Sequence, residues 1–475
     1  MILSMMPVIN LKWRVMLGGV IGIISVILIA KIPPPEGLSS ASMLGLGIFV
    51  GAIVWWILGV MPDYVTALLM CAAWAGTKIV PYNVAFAQFA SENYWLLMSA
   101  LGIGLAVTKS GLLNRVSLLI LDKFPCSYRG QTAALMISGC IVAPLIPSVT
   151  SKAAIAAPLA KGISDKMRFD SYSKGASGIF SAMLIGFAIT GPSFLSSSFM
   201  CYTIKGLLPR TVQDQLTWTT WFVNALPWTI CVLVLSYFAI QLFYKPDNEV
   251  KVDHTEIKEQ IMNLGPMSKN EKIVMIILLL CLILWVTETL HGIAAATVAI
   301  VALCILIGSN TINRSDFQTG IAWDALIFIG CIISIGSVFP TLNIDKWIGS
   351  LAGRFLLPVI DNIWLYIIMT ALIIYIVRFV LVSMIATFTI FTVFVTPFAL
   401  KVGINPFVTA FVILTSVNVF TTVYQNSTFL AAYYASGGMV KHGHIIKMSL
   451  AYMLINIIAL MACVPIWHAF RFLNF

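Results

Sequence analysis

Charged residues are scarce in this 475-residue chain. Only 10% of its residues are Asp, Glu, Lys or Arg, whereas 60% are apolar; a soluble protein carries about a quarter charged residues. This composition excludes an ordinary soluble domain. The apolar segments also lack the ten-residue alternation of polar and apolar positions that a membrane barrel requires. The sequence therefore predicts an all-α polytopic membrane protein.

The sequence also lacks the motifs of enzymes and metal proteins. No P-loop, GxSxG or HExxH motif occurs, so we expect no ATP hydrolysis and no enzyme activity. Nine cysteines are present, without a CxxC pair or a His–Cys cluster, and we expect no metal site among them. The net charge of +10 comes without a basic run or an aromatic platform, so we expect no nucleic-acid partner. The lipid bilayer is the partner that the composition predicts.

The order of apolar runs predicts about eleven transmembrane helices in two inverted repeats. We expect an N-terminal helix and loop (residues 1–42), a first repeat (43–245), a cytosolic linker (246–272) and a second repeat (273–475). With the N-terminus in the cytoplasm, Lys and Arg accumulate in the inner loops, as the positive-inside rule requires. We therefore expect a multi-pass protein of the inner (plasma) membrane.

Each predicted repeat contains a re-entrant hairpin and a broken helix. The hairpins are expected at residues 131–163 and 363–400, because their arms are shorter than the roughly 20 residues of a spanning helix. The first tip is a run of small hydroxyl residues that opens a helix, a favourable place for an anion. The alternative is a proline-kinked spanning helix whose Ser and Thr bond the preceding turn. Breaks at corresponding places, near residues 190–193 and 424–428, indicate a transport site.

Five stretches of the chain resemble the divalent anion/sodium symporter family. They are IPPPEGL (32–38), WLLMSALGIGLAVTKSGLL (95–113), APLIPSVTSKAAIAAP (143–158), IAWDALIFIG (321–330) and GGMVKHGHIIKMSL (437–450). The resemblance is closest to the branch of bacterial citrate and tartrate:succinate antiporters and plastid 2-oxoglutarate/malate translocators. It implies a scaffold domain and a moving transport domain, usually in a homodimer, with an elevator-like displacement. It also implies that the substrate lies between the two hairpin tips and the two breaks.

The resemblance assigns candidate substrate-binding residues to both tips. Ser148 and Thr150 match the outer members of the family's Ser-Asn-Thr tip, and Val149 replaces its Asn. Lys152 stands where the antiporter branch has an arginine. The candidates are Ser148, Val149, Thr150, Ser151 and Lys152 of the first tip; Thr190, Gly191 and Pro192 of the first break; Ser383, Met384, Ala386 and Thr387 of the second tip; and Gln425, Asn426, Ser427 and Thr428 of the second break.

Together these features predict a secondary transporter of small organic anions. The expected substrates are di- or tricarboxylates such as malate, succinate, 2-oxoglutarate, citrate or tartrate, moved by exchange. The hydroxyls of Ser148, Thr150, Ser383 and Thr387 are expected to donate to carboxylate oxygens. Lys152 is expected to balance the substrate's charge; alternatively, its chain extends to the inner membrane surface. Arg378 of the second hairpin is a weaker candidate for the same role.

Coupling to Na⁺ is the main alternative. Sodium ions need hard oxygen ligands, and Val149 and Met384 offer none from their side chains, which favours exchange without a cofactor. A weak Na⁺ site near Ser148, Gly191 and Ser383, in a sodium-coupled dicarboxylate symporter, stays open. More distant alternatives are a non-transporting membrane receptor and an exchanger of another oxyanion or ion.

Overall fold

The computed structural model describes most of the chain: residues 11–246, 254–348, 362–379, 381, 383–401, 403–422, 425–470 and 472. Nearly all of these residues lie in helices, which confirms the predicted all-α polytopic fold. Helices suit the apolar runs because each backbone N–H and C=O finds its partner within the same segment. Capping residues set several helix ends: the helix Ser40–Leu58 begins at a Ser39 capping box and ends at Gly59, whose φ is 61°.

The first half contains long helices, short connecting helices, one hairpin and one broken helix. The long helices are Leu11–Lys31, Ser40–Leu58, Asp63–Gly76, Glu92–Ser110 and Trp218–Phe243. The short ones are Tyr82–Ala85, Ala87–Ala90, Leu112–Leu121 and Arg210–Gln213. The arms of the first hairpin are Tyr128–Val142, extended by the turn Ala143–Leu145, and Val149–Lys166. The first broken helix consists of Lys174–Leu184, its π-helical extension Ile185–Ile189, and Phe199–Leu207.

The second half also contains long helices, short helices, one hairpin and one broken helix. Its long helices are Lys269–Val286, Ala295–Gly308, Trp323–Ile333 with Ile335–Thr341, and His442–Ala469. The short helices are His254–Asn263, Glu288–His291 and Arg314–Gly320. The arms of the second hairpin are Ile363–Val377 and Met384–Lys401, and the second broken helix consists of Pro406–Ser416 and Ser427–Ala435. Residues 247–253 of the expected linker lie outside the described part of the chain.

The two halves pack crosswise at the centre. The arm Val149–Lys166 of the first hairpin packs against Ser427–Ala435 of the second broken helix. The arm Met384–Lys401 of the second hairpin packs against Phe199–Leu207 of the first broken helix. Each hairpin therefore packs against the broken helix of the opposite half.

Glycine permits close backbone contact beside the first hairpin. A Cβ atom at Gly139 would lie 2.1 Å from the carbonyl carbon of Gly186. Since no side chain fits there, the arm Tyr128–Val142 and the first broken helix touch through their backbones, as small residues allow in membrane helix packing. This contact holds the hairpin against the break that follows it.

The number of membrane crossings and the inverted orientation of the repeats stay predictions. By length and hydropathy, six helices of the described residues can cross a membrane, or seven if Glu92–Ser110 and Leu112–Leu121, bent by 66°, form one span. Four further apolar helices have 10 to 17 residues. Two of these four, Ile363–Val377 and Pro406–Ser416, belong to the second hairpin and the second broken helix, whereas Met384–Lys401, the other arm of that hairpin, is among the six.

Both breaks are longer than the sequence predicts. The first extends from Thr190 to Ser198 and contains two short 3₁₀ turns. The second begins after Ser416 rather than near Gln425. Side-chain bonds to nearby backbone compete with the helix at these places: Ser198 accepts from the Met200 amide at 3.2 Å, and Asn426 donates to the Asn418 carbonyl at 3.2 Å.

An ion pair ties the short helix Leu112–Leu121 to the linker. Arg115 donates to both carboxylate oxygens of Glu271, at 2.6 and 3.3 Å. It also donates to the carbonyls of Leu264 and Gly265. The hydrogen bond from Arg115 lowers the pKa of the Glu271 carboxyl below its ordinary value, and the Ser268 capping interactions lower it further. The linker is therefore held at its end by a defined salt bridge.

Candidate functional site

The first tip is a helix N-terminus capped by its own serine. The Ser148 hydroxyl oxygen accepts from the Ser151 amide at 3.2 Å and lies 2.9 Å from the Ser151 hydroxyl. The amides of Val149 and Thr150, in the first turn, have no acceptor within the helix. Ser148, Thr150 and Ser151 are partly exposed. This tip therefore presents hydroxyls, free amides and the positive end of a helix dipole, which favour an anion.

The second broken helix brings another capped N-terminus to the first tip. Asn426 caps the segment Ser427–Ala435 by accepting from the Phe429 amide at 2.9 Å. The Thr428 hydroxyl lies 2.8 Å from the hydroxyl of Thr150, although 278 residues separate them. Ser427 is exposed beside them. The structure thus brings one candidate of each half, Thr150 and Thr428, into contact.

The first break passes directly behind the first tip. A Cβ atom at Gly191 would lie 2.6 Å from Cγ1 of the buried Val149. The Phe199 amide donates to the Pro147 carbonyl at 2.8 Å. Thr190 is buried and its hydroxyl donates to the Gly186 carbonyl at 2.6 Å. These contacts hold the tip against the break.

The buried Pro192 of the same break is held from another side. Its carbonyl accepts from the indole N–H of Trp221 at 2.9 Å. Trp221 lies on the last long helix of the first half. Thr190, Gly191 and Pro192 are all buried and therefore support the tip from behind.

Lys152 occupies neither of the positions expected from the sequence. Its side chain is 0% exposed, so it neither faces an open cavity nor extends to the membrane surface. The ammonium donates to the carbonyls of Ala143, at 3.1 Å, and Ser197, at 2.9 Å. A buried ammonium needs acceptors for its protons, and backbone carbonyls at the hairpin turn and the break supply them. Lys152 thus lies behind the tip, with its terminal nitrogen held by carbonyls of the hairpin turn and the first break.

The second tip uses its serine differently. The Ser383 hydroxyl oxygen accepts from the Ala386 amide at 3.2 Å and donates its proton to Oδ2 of Asp63 at 3.0 Å. Met384 and Ala386 are buried. Thr387 is also buried, and its hydroxyl donates to the Ser383 carbonyl at 2.8 Å. The structure therefore places Ser383 at the tip, while Thr387 supports the helix from within.

Asp63 is the contact that the sequence analysis missed. It is a lone carboxylate at the start of an apolar run, directly after Pro62. That isolation in an otherwise uncharged stretch is the one signal that could have marked it. Its partner lies 320 residues away, so no local pattern predicts the pairing.

The second break is tied to the second hairpin. The Gln425 side chain accepts from the Thr422 amide at 2.9 Å and donates to the Arg378 carbonyl at 3.3 Å. Arg378 is itself 0% exposed and donates to the Leu381 carbonyl. Each hairpin therefore contains one buried cation that bonds backbone carbonyls.

The three groups considered for a weak Na⁺ site are engaged separately. The Gly191 carbonyl accepts from the Ser197 hydroxyl, Ser148 bonds Ser151, and Ser383 bonds Asp63. These contacts do not gather them into one ligand set. Within the described residues, no group of three or more His, Cys, Asp or Glu side chains could hold a metal ion.

Comparison with known proteins identifies the family. Residues 13–473 match the profile of the sodium:sulfate symporter transmembrane region. The chain belongs to this family. The match covers both hairpins and both breaks, and it confirms the family expected from the five sequence stretches.

Several members of the family are similar over most of this chain. A putative malate transporter, YflS, of Bacillus subtilis is 27% identical over 66% of this chain and 68% of its own length. Dicarboxylate transporter 1 of Arabidopsis thaliana chloroplasts is 26% identical over 68% and 59%. An L-tartrate/succinate antiporter of Shigella boydii is 24% identical over 68% and 72%.

Solved structures support the fold. The YdaH transporter of Alcanivorax borkumensis aligns with a TM-score of 0.55 at 14% identity, covering 97% of both chains. MtrF of Neisseria gonorrhoeae aligns with a TM-score of 0.53 at 16% identity, covering 95% of this chain and 94% of its own. At these identities the likeness concerns the fold alone.

Proposed function

We propose that this protein is a secondary transporter that exchanges small dicarboxylates across the membrane without Na⁺. Its relatives include a putative malate transporter, a dicarboxylate transporter and a tartrate/succinate antiporter, and they support the substrate class. The geometry of the tips supports anion binding, and the placement of Lys152 supports exchange. No chemical conversion of the substrate is part of the proposal.

Carboxylates find suitable donors at the helix N-termini of the site. Ser148, Ser383 and Asn426 cap three of these N-termini with their own side chains. The hydroxyls of Thr150 and Ser427 stand beside them. Hydrogen bonds from such groups to an ionised carboxylate are stronger than those between neutral groups. A molecule with two carboxylates can therefore use donors from both halves of the chain at once.

The position of Lys152 is the observation that carries the choice of exchange. Its ammonium donates to the carbonyl oxygens of Ala143 and Ser197, and such hard oxygens are of the kind that a sodium ion needs as ligands. Lys152 is covalently attached and cannot leave with the substrate. An empty site then keeps an uncompensated positive charge inside the membrane, which is costly to move. The site is expected to reorient readily only when an anion is bound, and that condition defines exchange.

Sodium-coupled symport is the second candidate. The description of the family as sodium:sulfate symporters favours it. In that mechanism Na⁺ is released on each cycle, and net uptake needs no internal anion. The two candidates therefore differ in what must be present inside a vesicle.

Proteoliposomes containing the purified protein test the proposal. We expect labelled malate to enter vesicles loaded with malate or succinate, and to enter equally well when external Na⁺ is replaced by choline. Uptake into empty vesicles that rises steeply with Na⁺ would support symport instead. Binding without accumulation would indicate a receptor. A panel of internal dicarboxylates and oxyanions then identifies the preferred exchange partner.

The assembly and orientation belong to the same proposal. We propose a homodimer that works by an elevator-like displacement, with its N-terminus in the cytoplasm of a bacterial-type inner membrane. An inner membrane protein of Escherichia coli, YbhI, is 25% identical over 68% of this chain, which supports the location. Light scattering in detergent is expected to give twice the chain mass of 52.0 kDa; the mass of one chain would contradict the homodimer.

A further inference from the structure

We propose that Asp63 competes with the substrate at the second tip. Its carboxylate accepts the hydrogen bond from the Ser383 hydroxyl when no substrate is bound, and a substrate carboxylate replaces Asp63 as the acceptor. Asp63 would thereby set the affinity of this tip for anions. The inference rests on the proposed function, because it names an internal competitor for the same site.

The argument starts from the single proton of Ser383. A serine hydroxyl has one proton to donate and an oxygen that accepts. Here the oxygen accepts from the Ala386 amide at 3.2 Å, and the proton points to Oδ2 of Asp63 at 3.0 Å. A substrate carboxylate can receive that proton only when Asp63 gives it up. The two carboxylates are therefore exclusive partners of one hydroxyl.

Asp63 offers the same chemical group as the proposed substrate. Its described side-chain partner is a neutral hydroxyl and not a cation, so the bond is weaker than a buried ion pair and can be exchanged. Both Asp63 and Ser383 are partly exposed, which lets an anion from water reach the hydroxyl. Competition between the two carboxylates is thus possible without unfolding the tip.

The backbone of Asp63 is held independently of the hairpin. Its carbonyl accepts from the indole N–H of Trp56 at 3.2 Å. The helix Asp63–Gly76 that it opens packs against Trp323–Ile333. The second tip can therefore lose its bond to Asp63 while Asp63 stays in place. When this bond is lost, both the second tip and the Ser383 hydroxyl are released from Asp63.

A double-mutant cycle on exchange tests the competition. Asp63→Ala is expected to lower the malate concentration for half-maximal exchange by roughly tenfold to a hundredfold, since a hydrogen bond to a charged group no longer has to be replaced. In a Ser383→Ala background the same substitution is expected to change nothing, because the shared hydroxyl is gone. If Asp63→Ala lowers the half-saturation equally in both backgrounds, Asp63 acts only by charge repulsion and the competition is refuted. An unchanged or raised half-saturation in the single variant also refutes it.

Two further variants keep the test clear. Asp63→Asn preserves the shape and a weaker acceptor, so an intermediate shift is expected, and it serves if the alanine variant does not fold. Asp324→Asn removes an exposed carboxylate from the first turn of Trp323–Ile333 and is expected to leave the half-saturation unchanged. A shift of equal size in Asp324→Asn would show a general effect of net charge.

Hydrogen exchange of the substrate-free protein gives a readout that does not depend on transport. Asp63→Ala is expected to speed deuterium uptake in a peptide covering residues 384–390, while a peptide covering 149–156 stays unchanged. If wild-type vesicles exchange no dicarboxylate, the proposed function fails, yet this measurement still reports on the Asp63–Ser383 bond. Unchanged uptake in residues 384–390 would overturn the inference even if transport is normal.

Discussion

Removing the charge of Lys152 tests the role of the fixed cation. The ammonium is 0% exposed and bonds the carbonyls of Ala143 and Ser197, so it lies about one side-chain layer from the tip. A unit charge about 7 Å from an anion contributes about 2.4 kcal/mol at an effective dielectric constant of about 20. That free energy corresponds to a roughly 50-fold change in affinity. Lys152→Gln, which keeps N–H donors but no charge, is therefore expected to raise the malate concentration for half-maximal exchange by about 50-fold.

Lys152→Met separates the charge from the hydrogen bonds. It removes both, and it leaves the two buried carbonyls without their described donor, which costs about 1 to 3 kcal/mol for each group. We expect exchange to be abolished and the melting temperature in detergent to fall below that of Lys152→Gln, with membrane insertion retained. Lys161→Met, on the same arm but partly exposed, is the matched control and is expected to exchange normally. Normal malate half-saturation in Lys152→Gln would refute the reasoning.

Two other predictions concern packing and the linker. Gly191→Ala is expected to slow exchange and to lower the free energy of unfolding by about 1 to 3 kcal/mol through overpacking, because its Cβ would lie 2.6 Å from Cγ1 of Val149. Adding Val149→Ala to this variant should restore exchange. Failure to restore it would contradict the contact. Arg115→Gln is expected to cost about 1 to 2 kcal/mol in thermal unfolding. Because Arg115 lowers the pKa of Glu271, the salt bridge stabilises the folded protein fully above the ordinary carboxyl pKa, and this stabilisation is lost as the pH falls through the lowered value. The Arg115→Gln variant should lack this part of the pH dependence of stability. An unchanged pH profile would contradict the salt bridge.

The succession of elements could be predicted from hydropathy and length. The short arms, the turns at the tips and the breaks follow from segments too short for the bilayer and from local Pro, Gly and Ser. The lengths of the breaks could not be predicted, because they depend on where side chains such as Ser198 cap the helix that follows.

The directions of single side chains could not be predicted from the sequence. Thr387 matches the family's tip motif, but its helical position lets its hydroxyl bond the carbonyl four residues earlier. Lys152 follows the tip by one helical turn, and the fold of the first break decides that its ammonium meets Ser197. The bond between Asp63 and Ser383 joins opposite halves of the chain. Such contacts depend on how the halves pack, which no local pattern contains.

Substrate protection of engineered cysteines tests most directly that the anion is held by these tips. Thr150→Cys and Ser427→Cys place thiols at the first tip and the second break, and Ser315→Cys places one on an exposed short helix remote from both in sequence. Saturating malate is expected to slow maleimide labelling at positions 150 and 427 and to leave position 315 unchanged. Equal labelling rates with and without malate at both site positions, in protein that still binds malate, would contradict the account.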